Sequence, residues 1–211
     1  MPTANQPADP PIAIESERLL IVEGEDEVRF FSAFHNHLRL SEVQILGIGG
    51  KDRLAASLGA LVRTRGFRNV QNLAVVRDAN GNPNGAFQSV CSALTANGLP
   101  APPTPLVPAG TSPRVMVAIL PGNGATGMLE NLCLQSVAND PVMPCVDAYF
   151  RCVKESGHTP PRKIAKARVR VFLASRPKPD LPVGIAAGAG YWPWENPAFN
   201  DLRTVANHLS S

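Results

Sequence analysis

The chain has 211 residues, which is long enough for one substantial hydrophobic core and short for two. Hydrophobic residues make up 44% of the chain and charged residues 18%, which excludes a disordered or highly charged class of protein. The formal net charge of +3 is compatible with a polyanionic partner but is too small to argue for one by itself.

No segment of the sequence predicts contact with a membrane. The first eleven residues are polar and rich in proline, unlike a signal peptide, and no apolar run approaches the roughly 20 residues that span a bilayer. The four cysteines show neither CxxC pairs nor a Cys/His zinc spacing. These features predict a reduced, cytoplasmic protein.

Strand-like and helix-like segments alternate along the chain after a predicted flexible tail at residues 1–15. The predicted strands are 18–22, 43–48, 73–76 and 115–120. The predicted helices are 27–40, 54–65, 87–97, 127–137 and 161–174, followed by a short helix from Pro197. The segment 99–113 is rich in proline and is expected to form a long surface loop.

This alternation predicts right-handed βαβ crossovers in a single domain that covers residues 1–211. The expected fold class is α/β and Rossmann-like. Its central sheet should be mainly parallel, with four to five strands and helices on both faces.

Oxygen-bearing side chains follow three of the predicted strands. Glu23 follows the first strand, Asp78 and Asn80 follow the third, and Glu130 follows the fourth after a glycine loop. In an extended segment Asp78 and Asn80 would point the same way and offer two oxygens to one ion. Because open α/β sheets bind ligands at the carboxyl ends of their strands, these residues predict a site for a hard divalent cation.

Each of these acids also has an ordinary structural explanation. Acidic residues favour the positive end of a helix, and this explanation is preferred for Glu25 and Asp26 and stays open for Glu27. The Asp-x-Asn-Gly sequence that starts at Asp78 is also common turn chemistry. A lone helical glutamate such as Glu130 is solvent-facing more often than not.

The glycine loop Gly122–Gly127 suggests a second possible function, the binding of a dinucleotide. It matches GxGxxG, follows a predicted strand and opens a predicted helix, as a dinucleotide-binding loop should. However, Pro121 intervenes, the unit is the last strand–helix pair, and no acid ends a following strand about 20 residues later. A dinucleotide-binding protein is therefore the weaker alternative.

The helix predicted at residues 161–174 is basic. One face of this helix, made of Ile164, Ala167, Val171 and Ala174, can pack on the core. Lys163, Lys166 and Arg170 then lie on or near one outer side. The functional interpretation is a lysine that neutralises a phosphate in the transition state. The ordinary interpretation is a solvated cationic face.

Several of these motifs resemble the Toprim domain, the catalytic module of topoisomerases, bacterial primases and OLD-type nucleases. The strand that ends in Glu23-Gly24, with Glu27 four residues after Glu23, resembles the strand-Glu-Gly motif of the family. Val75–Asn80 resembles its DxD strand end. The segment around Glu130 and the lysines of the basic helix are similar to later motifs of the OLD branch. The chain resembles a small, stand-alone, OLD-like bacterial Toprim family, from about residue 18 onward.

This resemblance implies a site that binds Mg²⁺ or Mn²⁺ and cleaves phosphodiester bonds in DNA or RNA. The implied metal ligands are Glu23, Glu27, Asp78, Asn80 and Glu130. Glu23 would also act as a general acid or base, and Lys166 or Lys163 would stabilise the phosphate.

The departure from the Toprim pattern is Asn80, where the family usually has Asp. The missing charge weakens Mg²⁺ affinity, so a catalytically weak module that binds nucleic acid or a protein stays open as an alternative. A homodimer also stays open.

Overall fold

The computed structural model of this protein describes residues 13–50 and 53–211. Within these residues the chain forms four β-strands and eight α-helices, which alternate through the first half of the chain. The strands are β1 (Arg18–Val22), β2 (Val43–Gly47), β3 (Asn72–Asp78) and β4 (Arg114–Leu120). The helices are α1 (Glu25–His37), α2 (Leu54–Leu61), α3 (Pro83–Ala96), α4 (Leu129–Ser136), α5 (Met143–Glu155), α6 (Ile164–Ala174), α7 (Val183–Gly188) and α8 (Asn200–Ser210).

The four strands form one parallel sheet in the order β2-β1-β3-β4. The predicted α/β, Rossmann-like fold is therefore confirmed. β1 and β3 are neighbours, and their register pairs Ile21 with Val75. The carboxyl ends of these two strands consequently meet at the same edge of the sheet.

Alternate residues of each strand point to opposite faces of the sheet, so two apolar cores form. On one face, Leu20, Ala74 and Met116 belong to a core shared with α1 and the helices from α4 to α8. On the other face, Leu19, Leu73 and Val115 belong to a core shared with α2 and α3. Burial on both faces explains why the strands are continuous apolar runs.

Two helices, α5 and α7, lie outside the predicted elements. Pro144 stands in the first turn of α5, where its missing N–H costs no intrahelical hydrogen bond. At α7, which follows Pro182, the N–H of Gly184 donates to Asp26 Oδ1 at 2.8 Å. A proline therefore stands at or just before the start of each helix, in segments where the sequence analysis assigned no regular element.

The sequence predicts two irregular segments, the loop at residues 99–113 and the tail at residues 1–15. Residues 97–113, all described, contain no helix or strand apart from the isolated bridge Ala109–Val115. Most of the predicted tail, residues 1–12, lies outside the described residues. Within the rest of that segment, Ile14 is buried and the N–H of Glu15 donates to Gln44 Oε1 at 2.9 Å. In the described part of the chain, no helix has the length and apolar character that crossing a membrane requires.

Candidate metal and phosphate site

The strand order reverses between β1 and β3. From β1 the chain first adds β2 on one side, and then returns to add β3 and β4 on the other side. Open α/β sheets leave a crevice at such a point, outside the carboxyl ends of the strands. Glu23 follows β1 directly and Asp78 ends β3, so both residues lie at this crevice.

Asp78 connects the end of β3 to two neighbouring segments. Its N–H donates to Glu23 Oε1 at 3.4 Å, and its Oδ1 accepts the N–H of Leu129, the first residue of α4, at 3.0 Å. Burial, together with the negative charges of Glu23 and Glu27, raises the pKa of Asp78 to about 7. Asp78 can therefore hold or release a proton near neutral pH.

Arg77 lies beside Glu23 and is the site residue that sequence reasoning missed. Arg77 Nε is 3.8 Å from Glu23 Oε1, and Arg77 Nη1 donates to Ser89 Oγ at 2.9 Å. At that distance the arginine balances part of the charge on Glu23 without a close ion pair. The sequence did carry a signal for Arg77, because it follows directly on a buried apolar run and arginine is rarely buried without a partner.

Glu27 lies on α1 and folds back toward the end of β1. A Cβ placed on Gly24 would stand 3.1 Å from Glu27 Oε2, so the glycine leaves room for the carboxylate. Burial, and then the charges of Asp26, Glu23 and Glu130, raises the pKa of Glu27. Glu27 is therefore close enough to the other site acids for their charges to act on it. It also lies in the first turn of α1, so both interpretations from the sequence apply to it.

Glu130 and Lys166 form an ion pair between α4 and α6. The Glu130 side chain is only 8% exposed, whereas that of Lys166 is 47% exposed. Burial opposes the charge of Lys166, but its bond to Glu130 and the nearby charges of Asp78 and Glu27 outweigh this effect and raise its pKa. The structure thus brings Lys166 to the acids, while Lys163 lies exposed at the start of α6.

The extended conformation expected through Asn80 is wrong. Asn80 has a φ of +50°, in the left-handed region, and its side chain is exposed. Its N–H and carbonyl pair with the backbone of Gly127 at 2.6 and 2.7 Å. These two backbone hydrogen bonds connect the glycine loop to the end of β3. The premise that the Asn80 side chain points the same way as that of Asp78 does not hold.

The face of α6 predicted to enter the core is also wrong. Ala165, Val169 and Phe172 are buried, whereas Ile164 is 39% exposed. Both sets of residues follow helical spacing, so the pattern alone could not decide between them. The observed face places Lys166 against α4.

The donor set fits Mg²⁺ or Mn²⁺ in its chemistry, because carboxylate oxygens are the ligands that these hard cations prefer. In residues 13–50 and 53–211, however, no three His, Cys, Asp or Glu side chains are placed to hold one ion together. Mg²⁺ commonly binds through one or two carboxylates and keeps several waters. Glu23 and Asp78 suit that more open kind of site.

A cleft of about 420 Å³ lies beside Glu130. Its wall includes Asp26, Glu130, Lys166 and Arg170, whereas Glu23, Glu27 and Asp78 are not among its wall residues. Both charge signs therefore line the cleft, and its two cations could contact a phosphate.

Comparisons with known proteins place the chain in a family. No curated protein matches it. Among solved structures, it is similar to the C-terminal region of the Xanthomonas campestris pv. campestris OLD protein, with 13% identity, a TM-score of 0.44, and coverage of 92% of this chain and 94% of that one. A likeness at this level is too weak to transfer a function. The family model described as "Protein of unknown function (DUF3226)" matches residues 17–210, and the chain belongs to that family.

Proposed function

We propose that this chain is a Toprim-type protein that uses Mg²⁺ or Mn²⁺ to cleave phosphodiester bonds in nucleic acid. The observation that carries the proposal is the contact between Asp78 and Glu23 at the point where the strand order reverses. The Glu23 carboxylate accepts the backbone N–H of Asp78 there, so the ends of two different strands meet at the edge where such folds bind ligands.

Glu23 and Asp78 would hold the ion, which would activate a water and neutralise charge on the scissile phosphate. Without the ion, burial and the charges of Glu23 and Glu27 raise the pKa of Asp78 to about 7, so cation binding should displace a proton from this carboxyl group near neutral pH. Lys166 keeps its charge beside Glu130 and is suited to contact a phosphate oxygen. Arg77 balances part of the charge on Glu23.

The test is cleavage of labelled DNA and RNA with Mn²⁺, Mg²⁺ or EDTA. We expect Mn²⁺-dependent cleavage that Asp78→Ala abolishes. The control is Glu15→Gln, at an exposed acid that precedes β1, at the opposite edge of the sheet, which should retain activity. Cleavage that survives in Asp78→Ala, or that persists in EDTA, would refute the metal role.

The second candidate is a module that binds nucleic acid or a protein without efficient catalysis. The observation that favours it is the absence, within the described chain, of three acids arranged around one ion. The ion pair between Glu130 and Lys166 also leaves that lysine partly neutralised. Metal-independent binding of nucleic acid, together with no cleavage in either cation, would select this function.

A further inference from the structure

Positive charge is concentrated in residues 143–178, which contain α5, α6 and the turn after α6. This segment has nine lysines and arginines and two acids, whereas the whole chain has a net charge of only +3. The rest of the chain is therefore net negative. A concentration of one sign of charge is the usual electrostatic footprint of a polyanion-binding surface.

Three of these nine cations have acidic partners: Lys166, Arg168 and Arg176. The other six are exposed and have no carboxylate within ion-pair distance among residues 13–50 and 53–211. They are Arg151, Lys154, Arg162, Lys163, Arg170 and Lys178. Cations without protein partners remain free to contact phosphates.

An apolar groove of about 690 Å³ lies on the same segment, between α5 and α6. Tyr149 in its wall is 52% exposed, and the Tyr149 ring packs edge-on against Phe150 with centroids 5.0 Å apart. His158, Pro161 and Arg170 also line the groove. An exposed aromatic ring among free cations is the combination that binds unpaired bases, because every base has a face that can stack.

Arg170 connects the groove to the acidic site. It lines both the groove and the cleft that contains Glu130 and Lys166. Arg170 and Lys166 lie one turn apart on α6, so they are neighbours on the helix surface. A phosphate chain that leaves the groove past Arg170 reaches Lys166 next.

We propose that this α5–α6 surface binds single-stranded nucleic acid. Tyr149 stacks on an unpaired base, the exposed cations contact phosphates, and Arg170 directs the backbone toward Lys166. A duplex hides its base faces, so it cannot use Tyr149 in this way and binds more weakly. As the substrate class of the enzyme, this inference rests on the proposed function, but the binding itself needs no metal.

The first test uses fluorescence anisotropy with a labelled single strand of about 16 nucleotides in EDTA, which prevents metal-dependent cleavage. Tyr149→Ala should weaken binding about tenfold, since loss of one stacked base has an effect of that order. Tyr149→Phe is the matched control and should bind like the unaltered protein. The same sequence as a duplex should compete poorly.

The second test removes charge. Arg162→Gln with Lys163→Gln should weaken binding and lower the slope of log affinity against log salt by about 1.4, if both residues contact phosphates. Arg65→Gln with Arg68→Gln removes the same charge from exposed residues that precede β3, at the opposite edge of the sheet. This control pair should change neither affinity nor slope.

The outcomes separate this inference from the proposed function. Tight single-strand binding without cleavage by the unaltered protein overturns the proposed nuclease and leaves this surface in place. Mn²⁺-dependent cleavage with unaltered single-strand binding in Tyr149→Ala overturns this surface instead. If Tyr149→Ala abolishes self-association of the chain without affecting binding, the groove is an interface between copies and the inference is wrong.

Discussion

Lys166 of α6 reaches across to Glu130 of α4, and this ion pair joins a largely buried carboxylate to a lysine that is nearly half exposed. The two partners therefore differ in how much it costs to leave each one unpaired. Removing Lys166 leaves a buried negative charge next to Asp78 and Glu27, whereas removing Glu130 leaves a lysine that water can still solvate.

We expect Lys166→Met to lower the free energy of unfolding by about 1–2 kcal/mol at neutral pH. This is less than the loss for a fully buried pair, because solvent screens the exposed lysine. Urea unfolding measures the change. Lys163→Met removes the same charge at an exposed position on the same helix and should cost less than about 0.5 kcal/mol. Equal losses in the two variants would contradict the structural role of the Lys166 ion pair.

The raised pKa of Asp78 predicts a specific pH dependence of stability. The folded protein holds a proton on Asp78 up to about pH 7, whereas the unfolded chain releases it near the ordinary value of 3.8. The folded state thus binds more protons across that window, and its stability falls as pH rises through it. Asp78→Asn cannot titrate, and its side-chain oxygen can still accept the N–H of Leu129.

In EDTA we therefore expect Asp78→Asn to become more stable than the unaltered protein as pH rises, by about 3–4 kcal/mol between pH 4 and pH 8. Urea unfolding at several pH values measures this difference. Asp147→Asn is the control, since that exposed acid pairs with Arg168 on the surface and should show little such trend. A difference between Asp78→Asn and the unaltered protein that stays constant with pH would argue against a protonated Asp78.

Gly127 should tolerate substitution poorly. Its φ is +139°, and a Cβ there would stand 2.7 Å from Asn131 Oδ1, which accepts the N–H of Met128. We expect Gly127→Ala to lower the free energy of unfolding by about 2 kcal/mol. Gly124 also has a positive φ, +68°, but a Cβ there meets no atom within 4 Å. Gly124→Ala should cost about 1 kcal/mol, and thermal unfolding of both variants should show Gly127→Ala as the less stable.

Asn80→Asp tests whether the missing charge limits cation binding. Aspartate tolerates a positive φ nearly as well as asparagine, so the backbone pairing with Gly127 should persist. Because the Asn80 side chain is exposed and does not point the same way as Asp78, a carboxylate there should act on Mn²⁺ only through a screened charge, and affinity by calorimetric titration should rise no more than about twofold. Asn82→Asp is the control, because it adds the same charge two residues away and an aspartate can still accept the N–H of Gly85. A gain of about tenfold or more in Asn80→Asp alone would show that residue 80 is a ligand and would contradict this placement of its side chain.

The sequence predicted the sheet well because its strands are buried on both faces and form uninterrupted apolar runs. The first strand, 18–22, matches β1 in both bounds. It also predicted that Glu23 and Asp78 meet, since parallel strands end at a common edge. Their adjacency depends on the order β2-β1-β3-β4, which long-range pairing decides and local spacing does not encode.

The failures have physical causes of the same kind. The prediction of which α6 face enters the core was wrong because two sets of apolar residues on α6 both recur at helical spacing. Packing against α4, which the sequence pattern does not reveal, decides which set is buried. Helix α5 was missed because only Met143 and Val146 are buried along its 13 residues, which leaves a short apolar stripe. Asn80 was misjudged because its turn toward Gly127 is a contact between distant parts of the chain.

The central claim is that Glu23 and Asp78 share a divalent cation, and Mn²⁺-dependent thermal stabilisation tests it most directly. A cation that binds only the folded state should raise the melting temperature by several degrees at about 100 times its dissociation constant. We expect this rise in the unaltered protein and in Glu15→Gln, and its loss in Asp78→Asn and Glu23→Gln. An equal rise in all four proteins would contradict the claim.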